Sequence, residues 1–216
     1  MMGAAGTLAT PLLGYLLGSI PFGYLLVRLR AGVDIRTVGS GNIGATNVGR
    51  ILGRGASALV YLLDAAKGFA SAGLLPRLLG LEPGLPSALG GVGATLGHCF
   101  PVFLRFRGGK GVATASGVLL ALDPAAFAVG GLAWVLLISL VRIVSVASIG
   151  MAFAFPLAVL ARDPADALRA HLPVLAASLL LASLILVRHR ANLRRILEGT
   201  EPRIGRRLGK DSCGSA

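Results

Sequence analysis

The chain has 216 residues, of which 55% are hydrophobic and 14% charged, and its mean hydropathy of +0.79 predicts a membrane protein rather than a soluble domain. Its 21 Lys and Arg residues against 9 Asp and Glu residues give a formal net charge of +12. The basic residues lie between apolar runs rather than in a surface patch, and aromatic residues make up only 6%. We therefore expect no nucleic-acid partner. The two cysteines, Cys99 and Cys213, are too few and too far apart for a disulfide framework or a metal cage.

Seven apolar segments are predicted to cross the membrane as helices. Six approach the roughly 20 residues that a helix needs to span hydrocarbon, and they cover residues 7–27, 56–75, 85–104, 124–140, 143–160 and 172–187. Segment 111–122 is shorter and rich in glycine and alanine, as expected of a helix that lines a cavity. The sequence therefore predicts an all-α, polytopic membrane bundle of seven transmembrane helices. We expect one membrane-embedded domain over residues 1–216, with a basic cytoplasmic tail over residues 188–216.

The distribution of Lys and Arg predicts the orientation of this bundle, since basic residues are retained on the cytoplasmic side. Seven crossings with the N-terminus outside place 17 basic residues inside and three outside, with Lys67 within a span. The first basic residue, Arg28, follows the first apolar run, so we expect no cleavable signal peptide. The C-terminus is then cytoplasmic, together with three polar, glycine-rich segments in which function is to be sought.

The first of these segments, residues 39–50, reads GSGNIGATNVGR. It satisfies G-x-G-x-x-G, but a dinucleotide site needs a preceding buried strand, and here a transmembrane helix precedes it. Glycines permit positive φ and close approach, so that successive amides can bind an anion, and Arg50 adds a planar cation suited to phosphate. An ordinary glycine-rich turn is the alternative. The residues assigned to this anion-binding loop are Gly39, Ser40, Gly41, Asn42, Gly44, Thr46 and Asn47.

The second segment, residues 97–117, reads GHCFPVFLRFRGGKGVATASG. A Walker A motif requires Ser or Thr after Gly-Lys, and Gly111 follows Lys110, so the sequence does not indicate an NTPase. Lys110 opens a predicted helix, which places its ammonium beside free amides in a good phosphate site. The alternative is an interfacial lysine that sets topology.

The third segment, residues 188–205, reads RHRANLRRILEGTEPRIG and is predicted to be a basic helix leaving the last span. His189 and Asn192 share a helix face that can turn back toward the site. A tail held on anionic lipid is the alternative interpretation.

Five polar residues within the spans remain open between functional and structural roles. Asp64 and Lys67 are three apart, and we expect a structural ion pair near the cavity. His98 lies one turn inside the cytoplasmic edge, as either a structural residue or an acid or base. Ser145 and Ser148 share a face of the sixth span and are either ligands or packing residues.

Several catalytic motifs are absent from the sequence. No His is followed five positions later by Asp, and neither H-E-x-x-H, nor G-x-S-x-G, nor a metal-binding cluster of His, Asp or Glu occurs. We therefore expect neither a metal nor a nucleotide cofactor, and the hydrolase and metalloenzyme classes are disfavoured.

Together with GSIPFGYLL at residues 18–26 and LDAAKG at residues 63–68, the three segments resemble the PlsY-type acyl-phosphate:glycerol-3-phosphate acyltransferases of bacteria. The resemblance runs from Gly18 to Gly205. It implies a seven-helix enzyme of the bacterial inner membrane, with a cytoplasmic active site, that catalyses the first acylation of phospholipid synthesis. A fatty acyl group would pass from acyl phosphate to the sn-1 hydroxyl of glycerol 3-phosphate, giving lysophosphatidic acid and phosphate. The resemblance implies the bilayer and both substrates as partners, with a soluble acyl-phosphate-forming enzyme as supplier, and it accounts for the missing His-Asp motif because acyl phosphate is already activated.

From these residues we hypothesise direct transfer in a ternary complex that holds two anions side by side. Backbone amides of residues 39–47 would bind the acyl phosphate, whose own oxygen would accept the hydroxyl proton, while Asn42 or Asn192 would stabilise the oxyanion. The residues assigned to glycerol 3-phosphate are Ser40, Arg50, Lys110, Ser145 and Asn192, with His189 closing the site. The catalytic set is Ser40, Asn42, Arg50, Lys110, His189 and Asn192.

Three alternatives remain. Ser40 as a covalent nucleophile is the mechanistic rival. A phosphate-ester transporter or lipid flippase would use the same cationic segments, but the inverted repeat expected of it is not visible. An inert membrane anchor would leave the cluster of Gly, Asn and Ser residues unexplained.

Overall fold

The computed structural model describes residues 2–162, residue 168 and residues 171–204, and all regular elements in this part of the chain are helical. Arg169, Cys213 and the end of the predicted basic tail, residues 205–216, lie outside the described residues. The helices are α1 (Met2–Gly18), α2 (Phe22–Ala31), α3 (Ala45–Leu52), α4 (Arg54–Phe69), α5 (Leu75–Leu78), α6 (Leu85–Cys99), α7 (Val112–Leu122), α8 (Pro124–Val141), α9 (Val144–Arg162), α10 (Leu172–Arg188) and α11 (Arg190–Leu197). Two 3₁₀ turns (Ile35–Thr37 and Val102–Leu104) and a π-helical turn (Ala70–Leu74) complete the elements.

Among the described residues, five helical stretches are long and apolar enough to cross a membrane, and they agree closely with the predicted spans. They are Ala4–Ala31, Arg54–Leu78, Leu85–Leu104, Pro124–Val141 and Val144–Ala161. A sixth is formed by α10, which continues into α11 after a bend of 57°, whereas α7 is a shorter apolar helix. Large apolar side chains such as Leu132 and Leu140 are exposed on the bundle surface, as lipid contact requires. The expectation of an all-α bundle built for a membrane is confirmed.

The predicted first span is interrupted near its C-terminal end. Helix α1 ends at Gly18 and α2 begins at Phe22, because Pro21 lacks an amide hydrogen and disfavours helical geometry at Ile20. The interruption exposes the Ile20 carbonyl, which accepts a hydrogen bond of 2.8 Å from Lys67 Nζ. The span predicted over residues 7–27 is therefore present as two helices with one interruption between them.

Glycines allow α1 and α6 to pack backbone against backbone. A Cβ atom at Gly14 or Gly18 would overlap the carbonyl of Gly90 or Ala94, so the two helices run parallel. Gly93 and Gly97 make the reciprocal approaches, to the carbonyls of Pro11 and Tyr15. This glycine seam leaves no space for a side chain between the helices.

Helix α7 lies inside the bundle against two partners. Gly68 of α4 abuts the carbonyl of Thr114, and Gly73 in the π-helical turn that continues α4 faces Ala121, so α4 and α7 run parallel. Against α6 the order reverses, since Gly91 meets Val118 whereas Gly111 meets Thr95 and Cys99. The chain thus turns back at residues 105–111 and follows α6 toward its opposite end.

Two apolar cores position the polar segments. The larger core packs α7, α8, α9 and α10 around the fully buried Phe155. The smaller core lies beneath the first segment, where Ile35, Ile43 and Val48 pack with Val27 and Leu104. Because Ile43 and Val48 belong to the glycine-rich segment itself, that segment is folded down onto the helices.

Candidate functional site

The first polar segment is organised from within by Asn47, which is 1% exposed. Its Oδ1 accepts a 2.9 Å hydrogen bond from the Ser40 amide, and its Nδ2 donates to the carbonyls of Val38 and Asn42, each at 3.0 Å. Gly39 has φ +63° and packs on this carboxamide with no space for a Cβ atom. Asn47, assigned from sequence to the anion-binding loop, joins the two ends of that loop by its hydrogen bonds.

Four amides of the loop are already hydrogen-bonded inside it. The Ser40 amide donates to Asn47, Gly41 to Val38, Gly44 to the Asn42 side chain and Asn47 to Gly44. Of the amides from 39 to 47 assigned to the acyl phosphate, these four already have acceptors within the loop. Helix α3 begins at Ala45, so the amides of Ala45 and Thr46 in its first turn are the ones left without an intrahelical acceptor.

The second and third segments meet at one carboxylate, Glu201, whose side chain is 7% exposed. Lys110 Nζ donates to Asn192 Oδ1 at 2.6 Å, and Asn192 Nδ2 donates to Glu201 Oε1 at 2.5 Å. Ser145 Oγ donates to the same carboxylate oxygen at 2.8 Å, and Arg195 Nε donates to the other at 2.8 Å. These five side chains form what we call the Glu201 network, and it joins three of the predicted glycerol 3-phosphate ligands: Lys110, Ser145 and Asn192.

The electrostatics of the network are those of an anion site. Burial lowers the pKa of Lys110 to about 8; the charge of Glu201 opposes this shift, and the nearby cations Arg195 and Arg50 add to it. Arg50, from the first segment, therefore lies close enough to act on Lys110. Burial also opposes the charge of Glu201, but hydrogen bonds from Asn192, Ser145 and Arg195 outweigh it and lower the pKa of that carboxyl.

His189 lies at the bend between α10 and α11. Burial and the charge of Lys110 lower its pKa to about 4, so the imidazole is neutral at pH 7. Its Nδ1 is 2.8 Å from the Ile185 carbonyl, and because a carbonyl only accepts hydrogen bonds, Nδ1 carries the proton. The Nε2 atom of this neutral ring is then a hydrogen-bond acceptor.

The structure separates the remaining predicted residues. Ser40 and Thr46 are exposed, and Asn42 is partly exposed while its Oδ1 accepts from the Gly44 amide. Ser148 is buried and lies beside a small cavity of about 10 Å³, whereas Ser145 belongs to the Glu201 network.

The expected ion pair of Asp64 and Lys67 is present, with 2.7 Å between Oδ1 and Nζ. His98 joins it, with Nδ1 3.4 Å from the same Asp64 oxygen. Neither contact has hydrogen-bond geometry, so Asp64 and Lys67 are held by charge, whereas His98 packs beside the carboxylate. The three residues form a buried cluster that is separate from the Glu201 network.

Sequence reasoning missed three residues that complete the site: Glu201, Arg195 and Arg188. Arg188 donates from Nε to the Gly109 carbonyl at 3.0 Å and from Nη2 to the Gly108 carbonyl at 3.1 Å. The available signal was Glu201 itself, an acidic residue within a strongly basic segment.

An apolar cavity of about 310 Å³ lies beside the interruption between α1 and α2. The guanidinium of Arg36 stands at its margin, 5.3 Å from the ring centre of Tyr24 and within 3.5 Å of the Leu104 carbonyl. Both of these residues line the cavity, and the full lining is Ile20, Pro21, Tyr24, Leu25, Phe103 and Leu104.

Comparison with known proteins places this architecture beside membrane acyltransferases. Residues 8–199 match the protein family described as "Glycerol-3-phosphate acyltransferase". A relative of that name from Myxococcus xanthus (strain DK1622) is 48% identical over 198 residues, covering 91% of this chain and 99% of the relative. One from Caulobacter vibrioides (strain NA1000 / CB15N) is 47% identical over 197 residues, covering 90% and 86%.

Two solved structures share the fold. The crystal structure of PlsY, an integral membrane glycerol 3-phosphate acyltransferase, in its glycerol 3-phosphate form superposes with a TM-score of 0.83 and 40% identity, covering 92% of this chain and 96% of that one. Its lysophosphatidic acid form gives a TM-score of 0.81 and 39% identity, covering 92% and 95%.

Proposed function

Since the chain belongs to the glycerol-3-phosphate acyltransferase family, we propose that it transfers a fatty acyl group from acyl phosphate to the sn-1 hydroxyl of glycerol 3-phosphate. The products are lysophosphatidic acid and inorganic phosphate, in the first acylation of phospholipid synthesis. The observation that carries this proposal is the Glu201 network, in which Lys110, Asn192 and Ser145 meet within reach of the charge of Arg50. A cluster of an ammonium, a guanidinium, an amide and a hydroxyl matches a phosphate monoester.

The acceptor is held, in this proposal, by Arg50 and Lys110 through its phosphate and by Ser40, Ser145 and Asn192 through hydrogen bonds. Glu201 keeps Asn192 and Ser145 in place and balances part of the cationic charge. His189 closes the site as a neutral imidazole whose Nε2 accepts a hydrogen bond.

The donor is held on the first segment, with its phosphate at the first turn of α3. The amides of Ala45 and Thr46 begin that helix, and Gly39, Ser40, Gly41, Asn42 and Gly44 shape the loop before it. The apolar cavity beside Arg36 supports a lipid donor, because its lining is suited to an acyl chain.

The proposed reaction is direct transfer. The sn-1 oxygen forms a bond to the acyl carbon, the bond from that carbon to the phosphate oxygen breaks, and the departing phosphate takes the hydroxyl proton. Binding both anions in one site supplies much of the acceleration, and Asn42 or Asn192 donates to the developing oxyanion. Trapping of an acyl group on Ser40 after denaturation would contradict direct transfer and favour a covalent mechanism.

The proposed topology has seven crossings, with the N-terminus outside, the site on the cytoplasmic side and the protein in the bacterial inner membrane. Support comes from α7, which runs antiparallel to α6 and parallel to α4. These directions are those required if α7 crosses the membrane and brings the number of crossings to seven. The basic residues of the three polar segments support the same orientation. Because acyl phosphate is a reactive anhydride, we propose that a soluble acyl-phosphate-forming enzyme supplies it at this surface.

The test is an assay of purified, detergent-solubilised protein with radiolabelled glycerol 3-phosphate and one of three donors. Palmitoyl phosphate is compared with palmitoyl coenzyme A and with palmitoyl carrier protein. We expect lysophosphatidic acid from palmitoyl phosphate alone. Product from a thioester donor would overturn the donor assignment, and no product from any donor, with the protein shown to be folded, would overturn the acyltransferase assignment.

A further inference from the structure

Stabilisation of the fold alone does not explain why Asp64, Lys67 and His98 are buried together. These residues are only 1%, 4% and 3% exposed, and two of them carry charges within a transmembrane helix. Placing ionisable groups at that depth is unfavourable, and a buried ion pair is often no more stabilising than apolar residues of the same volume. The cluster takes no direct part in the proposed reaction, so its contacts indicate what it does.

The contacts lead from the cluster to the backbone beside Lys110. The His98 carbonyl accepts a hydrogen bond of 3.0 Å from the Gly109 amide. The imidazole of His98 lies flush against the Gly109 Cα, where an added Cβ atom would overlap ring atoms Nε2, Cδ2 and Cε1. From the other side, the Arg188 guanidinium donates to the Gly109 carbonyl at 3.0 Å.

Gly109 is therefore held at its amide, its α-carbon and its carbonyl, and the next residue is Lys110. Lysine has a long side chain with several rotatable bonds, so the direction of its ammonium depends on how firmly its backbone is held. Arg188 and Asn192 flank the same bend between α10 and α11. Arg188 donates a hydrogen bond to the Gly109 carbonyl, and Asn192 accepts one from the Lys110 ammonium. Two adjacent residues of the second segment are thus matched to two residues of the third.

The far end of the cluster is fixed as well. Lys67 Nζ donates at 2.8 Å to the Ile20 carbonyl in the interruption after α1, which also accepts from the Phe22 amide, and it lies 5.6 Å from the ring centre of Phe22. Lys67 pairs with Asp64, whose Oδ1 lies 3.4 Å from Nδ1 of His98, and the opposite edge of the imidazole is directed at Gly109.

We propose that Asp64, Lys67 and His98 are positioning residues, which fix the imidazole of His98 against Gly109 and thereby aim the ammonium of Lys110 into the site. Their effect on catalysis rests on the proposed function, because it assumes that Lys110 binds glycerol 3-phosphate. Their effect on Lys110 itself rests on geometry alone.

The first measurement does not depend on activity. Competitive labelling with an amine reagent, followed by mass spectrometry of the peptide that contains Lys110, gives the apparent pKa of that lysine. We expect about 8 in the unaltered protein. In His98→Ala the segment is released, Lys110 becomes hydrated and its pKa rises toward 10.5. Val159→Ala is the matched control, since it opens space in the large core but leaves the second segment untouched.

The second measurement separates binding from turnover. In His98→Ala we expect the KM for glycerol 3-phosphate to rise about tenfold, with kcat and the KM for acyl phosphate within about twofold of their unaltered values. Val159→Ala loses thermal stability without this selective change in KM. His98→Gln, which keeps bulk against Gly109, falls between the unaltered protein and His98→Ala.

If His98→Ala does not fold, the double variant Asp64→Asn/Lys67→Met replaces it, because it removes both charges together and leaves neither one unpaired. An unchanged pKa of Lys110 in a folded variant would overturn the proposal, whatever the activity. A raised pKa in a protein that makes no lysophosphatidic acid would uphold the positioning role and count against the proposed function alone.

Discussion

The ammonium of Lys110 donates a hydrogen bond to the carboxamide oxygen of Asn192 across 2.6 Å, although 81 residues separate them in sequence. This hydrogen bond links the second polar segment to the third. Asn192 in turn donates to Glu201, so the position of the ammonium is set by a chain of contacts that ends on a buried carboxylate.

Removal of either cation is expected to reduce the use of glycerol 3-phosphate. A hydrogen bond to a charged group contributes about 1.5–3 kcal/mol, so Lys110→Ala and Arg50→Ala should each lower kcat/KM about 10- to 100-fold. Steady-state kinetics at normal expression levels would measure this. Arg54→Ala is the control, because Arg54 is an exposed arginine at the start of α4. Near-normal activity in either of the first two variants would defeat the assignment of that residue.

Activity is expected to fall in alkaline solution because of Lys110. Its pKa is lowered to about 8, so the ammonium that binds phosphate is lost as the pH rises through that value. The second pKa of a phosphate monoester is about 6, so the substrate does not titrate in the same range. We expect kcat/KM for glycerol 3-phosphate to decline above about pH 8.

Lys110→Arg separates this cause from others, since a guanidinium remains charged throughout the range. Whatever activity this variant keeps should lack the decline near pH 8. A decline that persists unchanged would point to a different titrating group.

Glu201 is expected to stabilise the fold as well as the site. Its pKa is lowered below the usual 4.5 in the folded protein, so its pairing contributes stability above about pH 4.5 and loses it as the pH falls through the folded value. Loss of one partner of a buried, charged hydrogen bond costs about 1–3 kcal/mol. Glu201→Gln should therefore lower the Tm in detergent at pH 7 and weaken the fall of Tm below pH 4.5.

Glu198→Gln provides the comparison for that measurement. Glu198 pairs with Arg194 on the exposed face of α11, and exposed pairs of this kind contribute little. Equal effects of the two substitutions on the Tm would show that the Glu201 network stabilises the fold no more than an exposed ion pair does.

Asn47 is expected to tolerate neither truncation nor a change of charge. Asn47→Ala removes the acceptor of the Ser40 amide and the donor to two carbonyls. Asn47→Asp keeps the shape but turns a carboxylate oxygen toward those carbonyls, so both variants should lose about tenfold or more in activity. Hydrogen exchange of residues 38–44 would report the opening of the loop. An active Asn47→Asp variant with a protected loop would contradict this account.

Much of the fold follows from apolar length alone. The predicted third span, 85–104, coincides with the helical stretch Leu85–Leu104, and the other long helices agree within a few residues. The interruption after Gly18 was less visible, because the apolar run continues through Pro21 and length counting passes over a single proline. What decides that position is local backbone chemistry rather than hydropathy.

The sequence predicts the cationic residue Lys110 of the candidate site, but it does not predict the carboxylate of Glu201. Lys110, Ser145 and Asn192 were singled out from their residue types and from a family resemblance, and the structure brings them into one network. Glu201 was missed because a carboxylate among arginines reads as a solvated charge. Its burial depends on a distant contact, in which the Ile204 amide donates at 2.8 Å to the Arg142 carbonyl.

For the first segment, the sequence predicts an anion-binding loop but not the role of each residue in it. Gly, Ser and Asn residues indicate a loop that can bind an anion, but which amides are free is decided by hydrogen bonds within the loop. The carboxamide of Asn47 takes the Ser40 amide and that of Asn42 takes the Gly44 amide. No linear pattern distinguishes an amide that faces a ligand from one that faces a neighbouring side chain.

The glycine seam between α1 and α6 sets how the sequence of this protein can vary. An alanine at Gly14, Gly18, Gly93 or Gly97 would press a methyl group onto a backbone carbonyl, which cannot rotate aside as a side chain can. The helices would have to move apart along their whole contact, so each such change disturbs the bundle at a distance. On the same α1 helix, Leu8 and Leu12 are exposed and can exchange with other apolar residues. A mutational scan of this single helix should therefore alternate between positions that accept many residues and positions that accept one.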